Sequence, residues 1–426
     1  MRRLDDARVI PGGTRPDDVA AAFAAARAIV DGSGPAVAPT DPRLVAAGAL
    51  PAPAGSGGTL RVPDGAAVVL ATSGTASGLP RLVAHRRDSM VAAARGTIER
   101  LGGPGSWLLA LPVHHVAGWQ VLLRTALAGP RPPVVLDTTG GFDPARLAEA
   151  VRDGRPRYTA LVPTQLARAL AHTEATRELR SLDALLIGGS APPSGLLERA
   201  REAGLRPVET YGMTETAGGC AYDGVALPGV ELEVVDGRIE VAGPVLAAGY
   251  LGSDGTLEPE AMPTQTATTA QHPASPGDRA GDEPSGFRKR AGKQWFRSPD
   301  LGSIEHGRLR VLGRADAVII SGGRNVHPEP VEAALRAHPS VADAAVVGLA
   351  DPDWGQVVTA VVVPTETRPE LATLRAAVSA RLGPENAPRA LVVVPEIPSS
   401  GPGKPDRAGA RRLAADILAA PGPRDR

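Results

Sequence analysis

Short apolar runs alternate with amphipathic segments through the first half of the chain. The apolar runs predict buried strands at 68–71, 106–112, 134–136, 160–162 and 182–187. Apolar positions at helical spacing predict helices over 15–31, 86–101, 144–152 and 194–203, and a further helix that ends at Leu127. Strands that alternate with helices at this spacing predict an α/β architecture.

The middle of the chain has a different pattern. Residues 229–250 alternate apolar and polar positions, with a turn at Asp236-Gly237, and this predicts a β-hairpin. Residues 253–293 lose all periodicity and contain almost no large apolar side chain. Because such a segment cannot bury enough surface to offset its ordering entropy, we expect a disordered insertion, with order resuming at Gln294.

The pattern changes again at Gly313. Strands are predicted at 317–320, 344–348, 357–363 and 392–394, and helices at 330–338 and 370–382. A block of this length is a usual domain size. We therefore expect a large N-terminal domain over 1–313 and a small α+β C-terminal domain over 314–426.

Charge and composition exclude several classes of function. The chain carries 46 Lys and Arg and 46 Asp and Glu, so nothing favours a nucleic acid or an acidic membrane surface as a partner. The single cysteine, Cys220, excludes an internal disulfide and fits a reducing compartment. No N-terminal apolar run has the length of a signal peptide or a transmembrane helix. We expect a cytoplasmic protein without membrane insertion.

The candidate chemistry begins where the strand ending at Ala71 gives way to a loop of hydroxyls and glycines, Thr72-Ser73-Gly74-Thr75-Ala76-Ser77-Gly78-Leu79-Pro80-Arg81. Glycine permits close backbone approach, and successive N–H groups with Ser and Thr hydroxyls form a nest for an anion, most often a phosphate. A flexible turn is the other interpretation of such a loop alone. The common triphosphate loop is excluded because G-x-x-x-x-G-K-[ST] is absent.

Further motifs follow this loop along the chain. They are Gly188-Gly189-Ser190, Thr210-Tyr211-Gly212-Met213-Thr214-Glu215, Asp300-Leu301-Gly302, Gly313-Arg314-Ala315-Asp316 and Gly403-Lys404. Each could be a turn or a linker by itself, but in this order they resemble the adenylate-forming superfamily of acyl-CoA synthetases, luciferases and adenylation domains. Two positions depart from the family pattern: Arg81 stands where the family usually has Lys, and Ser298-Pro299 where it has Thr-Gly.

The resemblance implies a two-step reaction, in which a carboxylate attacks ATP to give an acyl-adenylate and the acyl group then passes to CoA. It implies a large domain of layered sheets and helices and a small mobile C-terminal domain. Glu215 would ligate Mg²⁺, and Thr214 would contact phosphate. The residues that would hold ATP are Thr72, Ser73, Gly74, Thr75, Gly78, Arg81, Gly188, Gly189, Thr210, Tyr211, Gly212, Asp300 and Arg314.

The resemblance also implies roles in catalysis and domain movement. Lys404 would bridge the acyl carboxylate and the α-phosphate, and it is one of only three lysines in an Arg-dominated chain. His115 would orient or gate the acyl group. Asp316 would be the hinge on which the C-terminal domain turns between the half-reactions, and Gly322-Gly323-Arg324 would face the site for thioester formation.

Within the superfamily, the short N-terminal region and the stretch 111–119 look most like the o-succinylbenzoate–CoA ligases of menaquinone biosynthesis. Their acid has a second carboxylate, which needs a cationic or hydrogen-bonding partner. Arg124 stands alone among apolar neighbours on the helix that ends at Leu127, so it is the candidate partner, with Gln120 assisting. His115, Gly189 and Ser190 would line the rest of the acyl site.

Several alternatives stay open at this point. Arg124 could instead extend to the surface along its aliphatic stem. The chain could be another aryl or short acyl-CoA ligase, or an adenylation-only or non-catalytic nucleotide-binding relative, and it could form a homodimer. A metal pair of His114 and His115 is disfavoured, because adjacent residues on a strand point to opposite faces.

Overall fold

A computed structural model describes residues 4–41, 45, 59–72, 81–193, 195–258, 285–401 and 404–419. The side chains of Asp316 and Lys404 lie outside this description, as do Ser73, Gly74, Thr75 and Gly78. No helix among the described residues combines the length and apolar character needed to cross a lipid bilayer.

The secondary structure alternates between strands and helices. The strands are Leu4–Pro11 (β1), Val37–Thr40 (β2), Thr59–Pro63 (β3), Ala66–Ala71 (β4), Leu82–Arg86 (β5), Trp107–Leu109 (β6), Val134–Val135 (β7), Tyr158–Leu161 (β8), Ala184–Ile187 (β9), Pro207–Met213 (β10), Gly218–Tyr222 (β11), Val225–Ala226 (β12), Glu231–Val235 (β13), Arg238–Ala242 (β14), Gly249–Tyr250 (β15), Gly286–Arg290 (β16), Lys293–Glu305 (β17), Arg308–Arg314 (β18), Ile319–Ser321 (β19), Arg324–Val326 (β20), Val341–Asp351 (β21), Gly355–Pro364 (β22), Ala390–Val393 (β23), Ser399–Gly401 (β24) and Lys404–Pro405 (β25). The α-helices are Pro16–Asp31 (α1), Arg87–Arg100 (α2), Val116–Ala128 (α3), Pro144–Gly154 (α4), Pro163–Leu170 (α5), Thr173–Leu179 (α6), Leu196–Glu202 (α7), Pro328–Arg336 (α8), Leu371–Leu382 (α9) and Arg407–Ala419 (α10).

Two sheets position the site. The first has the strand order β15-β5-β4-β2-β1-β3, and the second has the order β12-β11-β10-β9-β8-β6-β7. In the second sheet β6 to β10 are parallel, while β11 turns back antiparallel to β10. Helix α3 lies between the sheets' buried faces, with Trp119, Leu122 and Leu123 fully buried in the shared core. The loops at the carboxyl ends of the parallel strands are where ligands bind in open α/β sheets.

Two further sheets follow along the chain. The antiparallel sheet β13-β14-β17-β16 carries β18 on β17, and the last large sheet has the order β20-β19-β22-β21 with β23 on β22. The buried apolar side chains from Ile319 onwards form core clusters of their own, distinct from those of the preceding residues. Separate cores are what independently packed domains require.

Most predicted elements are present, with boundaries that differ by a few residues. The strand predicted at 106–112 is shortened the most: it is observed only at Trp107–Leu109. The reason is that Leu111 and Pro112 already lead into the turn before α3. The elements that were not predicted include the strands β1, β2, β3, β5, β10, β11, β16 and β18 and the helices α5, α6 and α10.

The predicted disordered insertion over 253–293 is wrong at both ends. At its N-terminal end the Glu258 N–H donates to the Tyr250 carbonyl oxygen at 2.9 Å, and Leu257 pairs with Leu251. Residues 286–290 form β16, which pairs with β17 in a hairpin. The reason is Phe287, whose ring packs against those of Tyr250 and Phe296 and is 5% exposed. Arg290 of the same strand pairs with Glu233. One aromatic anchor and cross-strand ion pairs therefore order a segment that has no apolar periodicity; residues 259–284 lie outside the described part.

Candidate active site

The two ends of the predicted phosphate loop lie side by side. The Thr72 N–H donates to the Arg81 carbonyl oxygen at 2.8 Å, and the Arg81 N–H donates to Thr72 Oγ1 at 3.0 Å. These bonds continue the β4–β5 ladder, in which Ala71 pairs with Leu82. The strands on either side of the predicted loop are thus held together at Thr72 and Arg81.

Arg81 connects this base to Glu215. Its guanidinium pairs with Glu258 and lies 3.2 Å from the ring centroid of Tyr250. The Tyr250 hydroxyl donates to Glu215 Oε1 at 2.8 Å. Burial raises the pKa of the Glu215 carboxyl, and burial together with that carboxylate raises the pKa of Tyr250, so the phenol remains a donor.

Sequence reasoning missed Tyr250 and Glu258. Tyr250 reaches the site because β15 pairs with β5 beside the phosphate loop. No motif marks Tyr250 in the sequence, and its only distinction there is that it is one of four tyrosines. Thr214, which was predicted, is the first residue of a one-turn 3₁₀ helix, Thr214–Thr216, which carries Glu215 and follows the end of β10.

Two predicted glycine motifs meet at the carboxyl ends of β9 and β10. A Cβ atom on Gly188 would lie 2.1 Å from Thr210 Oγ1, and one on Gly212 would lie 2.0 Å from the Gly218 carbonyl oxygen. Neither position can accept a side chain without moving its neighbour. Gly189 has φ +86°, so it turns the chain away from the strand towards Ser190.

Asp300 lies where the motif prediction requires a carboxylate near Tyr211. The Tyr211 hydroxyl donates to Asp300 Oδ2 at 2.9 Å, and Arg314 Nη1 is 3.9 Å from Asp300 Oδ1 across the β17–β18 pair. Burial and this carboxylate raise the pKa of Tyr211. Strand β17 continues through Pro299, but its pairing with β14 shifts register there, from Glu240 opposite Arg297 to Arg238 opposite Leu301. The Ser298 hydroxyl accepts the Asp300 N–H at 3.0 Å in this irregular stretch.

His115 is the residue immediately before α3. The ring of His114 lies 4.5 Å from that of His115, so the expectation that the two side chains point to opposite faces is wrong: they lie in a turn, not a strand. His114 Nε2 is 3.8 Å from Asp41 Oδ2. Gly118 allows the turn to close, since a Cβ there would lie 2.2 Å from the Pro112 carbonyl oxygen.

Arg124 and Gln120 occupy the buried face of α3, one helical turn apart. Arg124 is 3% exposed, which excludes the surface-directed alternative. Its Nη2 donates to the Tyr222 hydroxyl at 3.3 Å, and its guanidinium lies 5.1 Å from the Trp107 ring centroid. Gln120 Nε2 donates to the Met90 carbonyl oxygen at 3.2 Å, and Gln120 Oε1 has no partner among the described residues.

The charge of Arg124 is not neutralised within the described part of the chain. No Asp or Glu oxygen there forms an ion pair with it, and its Nε has no hydrogen-bond partner. Burial lowers the pKa of the guanidinium, but an arginine remains charged in proteins. A buried cation without a carboxylate is expensive unless a ligand supplies the anion.

The predicted residues of the C-terminal region lie in turns and at the start of a strand. Asp316 is in the 3₁₀ turn Ala315–Ala317, between β18 and β19. Gly322 and Gly323 form the turn between β19 and β20 with φ +57° and +76°, and the Gly322 N–H donates to the Trp354 carbonyl oxygen at 3.0 Å. Arg324 is exposed, and Lys404 begins β25, paired with Gly401 of β24.

Comparisons with known proteins identify the family of this chain. The AMP-binding enzyme family matches residues 20–251, and the AMP-binding enzyme C-terminal domain matches residues 330–404. A protein named probable 2-succinylbenzoate–CoA ligase from Mycobacterium tuberculosis is 44% identical over 84% of this chain and 87% of its own length. The 2-succinylbenzoate–CoA ligase of Geobacillus kaustophilus is 32% identical over 82% of this chain and 69% of its own.

One solved structure extends the comparison to three dimensions. E. coli MenE with a bound phenylether-linked analogue of OSB-AMS has a TM-score of 0.59 and 28% identity, covering 82% of this chain and 70% of that one. The family matches include the phosphate loop, Glu215 and Lys404, whereas Asp300, Arg314, Asp316 and the turn at Gly322 and Gly323 lie between the two matched ranges. The chain belongs to the family of AMP-binding enzymes, the adenylate-forming superfamily.

Proposed function

We propose that this protein is an AMP-forming ligase that joins o-succinylbenzoate to CoA, a step of menaquinone biosynthesis. In the first half-reaction the substrate carboxylate attacks the α-phosphorus of ATP and pyrophosphate leaves. In the second the thiol of CoA attacks the acyl carbon and AMP leaves. The names of the relatives from M. tuberculosis and G. kaustophilus support this substrate.

The observation that carries the proposal is the buried charge of Arg124. o-Succinylbenzoate has two carboxylates, one of which is activated while the aromatic one must be held. Arg124 offers a guanidinium that is 97% buried and has neutral neighbours, Tyr222 and Trp107. A monocarboxylic acid would leave this cation without a counterion, so the pocket favours an acid with a second negative charge.

ATP would lie across the carboxyl ends of β9 and β10 and the closed base of the loop at Thr72 and Arg81. Asp300 and Arg314 would hold the ribose, and Tyr211 would fix the orientation of Asp300 by its hydrogen bond. The nest of the loop would bind phosphate through Ser73, Gly74, Thr75 and Gly78, with Thr214 beside it. Gly188, Gly189, Thr210 and Gly212 would line the adenine.

The site fits Mg²⁺ that arrives with ATP. Glu215 offers a hard carboxylate oxygen, oriented by Tyr250, and no group of three or more His, Cys, Asp or Glu in the described ranges could hold a metal alone. Mg²⁺ usually binds one or two carboxylates together with substrate phosphates. When bound, it neutralises charge that develops on the phosphates.

The C-terminal domain would serve the two half-reactions in turn. Lys404, at the tip of the β24–β25 hairpin, would bridge the acyl carboxylate and the α-phosphate during adenylation, where a compact ammonium suits two converging oxyanions. Rotation at Asp316 would then bring the turn at Gly322, Gly323 and Arg324 towards the adenylate for attack by CoA. His115, Gln120 and Ser190 would line the acyl group.

The test compares two acids in Arg124→Ala: o-succinylbenzoate and benzoylpropionate, which lacks the aromatic carboxylate. Loss of a charged hydrogen bond should cost about 2–4 kcal/mol, mostly as a raised KM, for o-succinylbenzoate alone. Arg95→Ala, an exposed arginine of α2, is the matched control and should change neither substrate. An equal loss on both acids would make Arg124 structural and remove the main support for this substrate.

A further inference from the structure

The neighbours of Arg124 form a chain of buried hydroxyl groups. Arg124 Nη2 is 3.3 Å from the Tyr222 hydroxyl, which is 2.7 Å from Thr97 Oγ1. Thr97 Oγ1 is in turn 2.9 Å from the Ala93 carbonyl oxygen, within α2. Tyr222 and Thr97 are fully buried, so water does not compete for these bonds.

The direction of each hydrogen bond in this chain is fixed. The Ala93 carbonyl can only accept, so the single hydroxyl hydrogen of Thr97 is donated to it. Thr97 Oγ1 must then accept from Tyr222, whose one hydroxyl hydrogen is used in that bond. The Tyr222 oxygen is therefore left with its lone pairs towards Arg124, which can only donate.

The chain holds the guanidinium without neutralising it. Arg297, the other arginine of the described part that is at least 97% buried, has a carboxylate partner: its Nη1 is 2.9 Å from Glu240 Oε1. Arg124 has a phenol oxygen and the face of Trp107 instead, and both are neutral. Its full charge is therefore kept for a ligand.

The position of Tyr222 connects this cation to the reacting end of the site. Tyr222 ends β11, and Gly218 begins that strand directly after the turn that carries Glu215. A Cβ on Gly218 would lie 3.2 Å from Gln120 Cγ, so β11 packs along α3. Gln120 lies near the start of β11, at Gly218, and Arg124 lies near the end of β11, at Tyr222. An acid lying between the two elements would have one end near Glu215 and the other near Arg124.

We propose that Tyr222 is a positioning residue that sets the preference for a dicarboxylic acid, by orienting Arg124 with an uncompensated charge towards the second carboxylate. The inference rests on the proposed function, because it assigns to Arg124 the second carboxylate of the same substrate. Thr97 contributes to the same positioning. Because its Oγ1 accepts the hydroxyl hydrogen of Tyr222, the phenol oxygen can only accept from Arg124.

The experiment measures kcat and KM for o-succinylbenzoate and for benzoylpropionate in Tyr222→Phe and Thr97→Val. Tyr222→Phe keeps the ring and removes the hydroxyl, which is the acceptor for Arg124 and the donor to Thr97. KM for o-succinylbenzoate should therefore rise about five- to tenfold, while kcat and both constants for benzoylpropionate stay within about twofold. Thr97→Val should act in the same direction with a smaller effect. Tyr158→Phe is the matched control, because the buried phenol of Tyr158 donates to the Leu101 and Gly103 carbonyl oxygens and not to a partner of Arg124 among the described residues.

The outcomes separate this inference from the proposed function. If Arg124→Ala discriminates between the two acids but Tyr222→Phe and Thr97→Val do not, the positioning role is overturned while the substrate assignment stands. If Arg124→Ala does not discriminate, both fail. A loss in Tyr222→Phe that is equal for the two acids, or that Tyr158→Phe reproduces, would show general damage to packing and would also overturn the inference.

Discussion

Burial fixes the charge state of His85, a residue of β5 to which the motifs give no role. The side chain is fully buried, and within the part of the chain that the structure describes neither ring nitrogen has a hydrogen-bond partner. Burial lowers the pKa of this imidazole to about 3. His85 therefore stays neutral in the folded protein at pH values where a histidine of the unfolded chain is protonated.

This difference predicts that acid destabilises the fold through His85. Below pH 6.5 the unfolded chain binds a proton that the folded chain accepts only near pH 3, so the free energy of unfolding falls as the pH falls between these values. The contribution is about 1.4 kcal/mol per pH unit, or about 2 kcal/mol at about pH 5. Urea unfolding gives the loss of the free energy of unfolding between about pH 7 and about pH 5. This loss should be smaller by that amount in His85→Gln than in the wild type. An unchanged difference would contradict the assignment.

The residues that are proposed to carry the chemistry divide into those that a sequence can reveal and those that it cannot. Glu215 and Asp300 lie in ordered motifs, so their types and spacing predicted them. Tyr250 and Tyr222 act through contacts with residues 35 and 98 positions away, Glu215 and Arg124. Neither tyrosine has a local pattern that marks it, because its role exists only once β15 and β11 are paired.

The hairpin of β16 and β17 gives a test at the level of one element. Phe287 is the one large apolar residue of β16 and packs between Tyr250 and Phe296. Phe287→Ala should lower the free energy of unfolding by about 3–5 kcal/mol, because it leaves a cavity in the core. Lys289→Ala, at an exposed position of the same strand, is the matched control and should stay within about 0.5 kcal/mol. Urea unfolding measures both; equal effects would mean that the hairpin is not anchored by Phe287.

Elements with a strong local period were predictable, and elements held by their neighbours were not. Helix α1 has Val19, Ala22, Phe23 and Ala26 at helical spacing, so its pattern is sufficient. The buried residues of α10 in the described part are Ala410 and Ala414, small side chains that give almost no apolar signal. Strand β16 likewise depends on its pairing with β17, which no local pattern records.

At the scale of the whole molecule, the predicted hinge lies where the large and small domains touch. A Cβ on Gly313, at the end of β18, would lie 2.6 Å from Glu329 Oε2 of α8. Arg407 of α10 pairs with Glu329 Oε1 at 2.9 Å within the small domain, and it is the other carboxylate oxygen of Glu329 that approaches β18. Rotation about Asp316 would have to break the contact between Glu329 and Gly313. The ion pair of Arg407 and Glu329 lies within the small domain and could move with that domain. The sequence predicted the boundary but not this contact, because Glu329 and Gly313 belong to separately folded segments.

A substitution at the hinge tests whether the two half-reactions need two arrangements of the domains. Asp316 lies in a 3₁₀ turn, whose usual φ of about −60° suits proline, so Asp316→Pro should keep the arrangement described here and hinder any other. The rate of adenylation is measured by pyrophosphate release. The rate of thioester formation is measured by the consumption of preformed adenylate in the presence of CoA. One rate should fall by about tenfold or more while the other changes little, since closing motions of this kind limit only the step that needs them. Asp316→Ala removes the carboxylate but leaves φ free, and it should spare both steps. Equal losses in both half-reactions of Asp316→Pro would mean that residue 316 contributes to folding alone. Another hinge would then be needed for the proposed rotation, which brings first Lys404 and then the Gly322-Gly323 turn to the site.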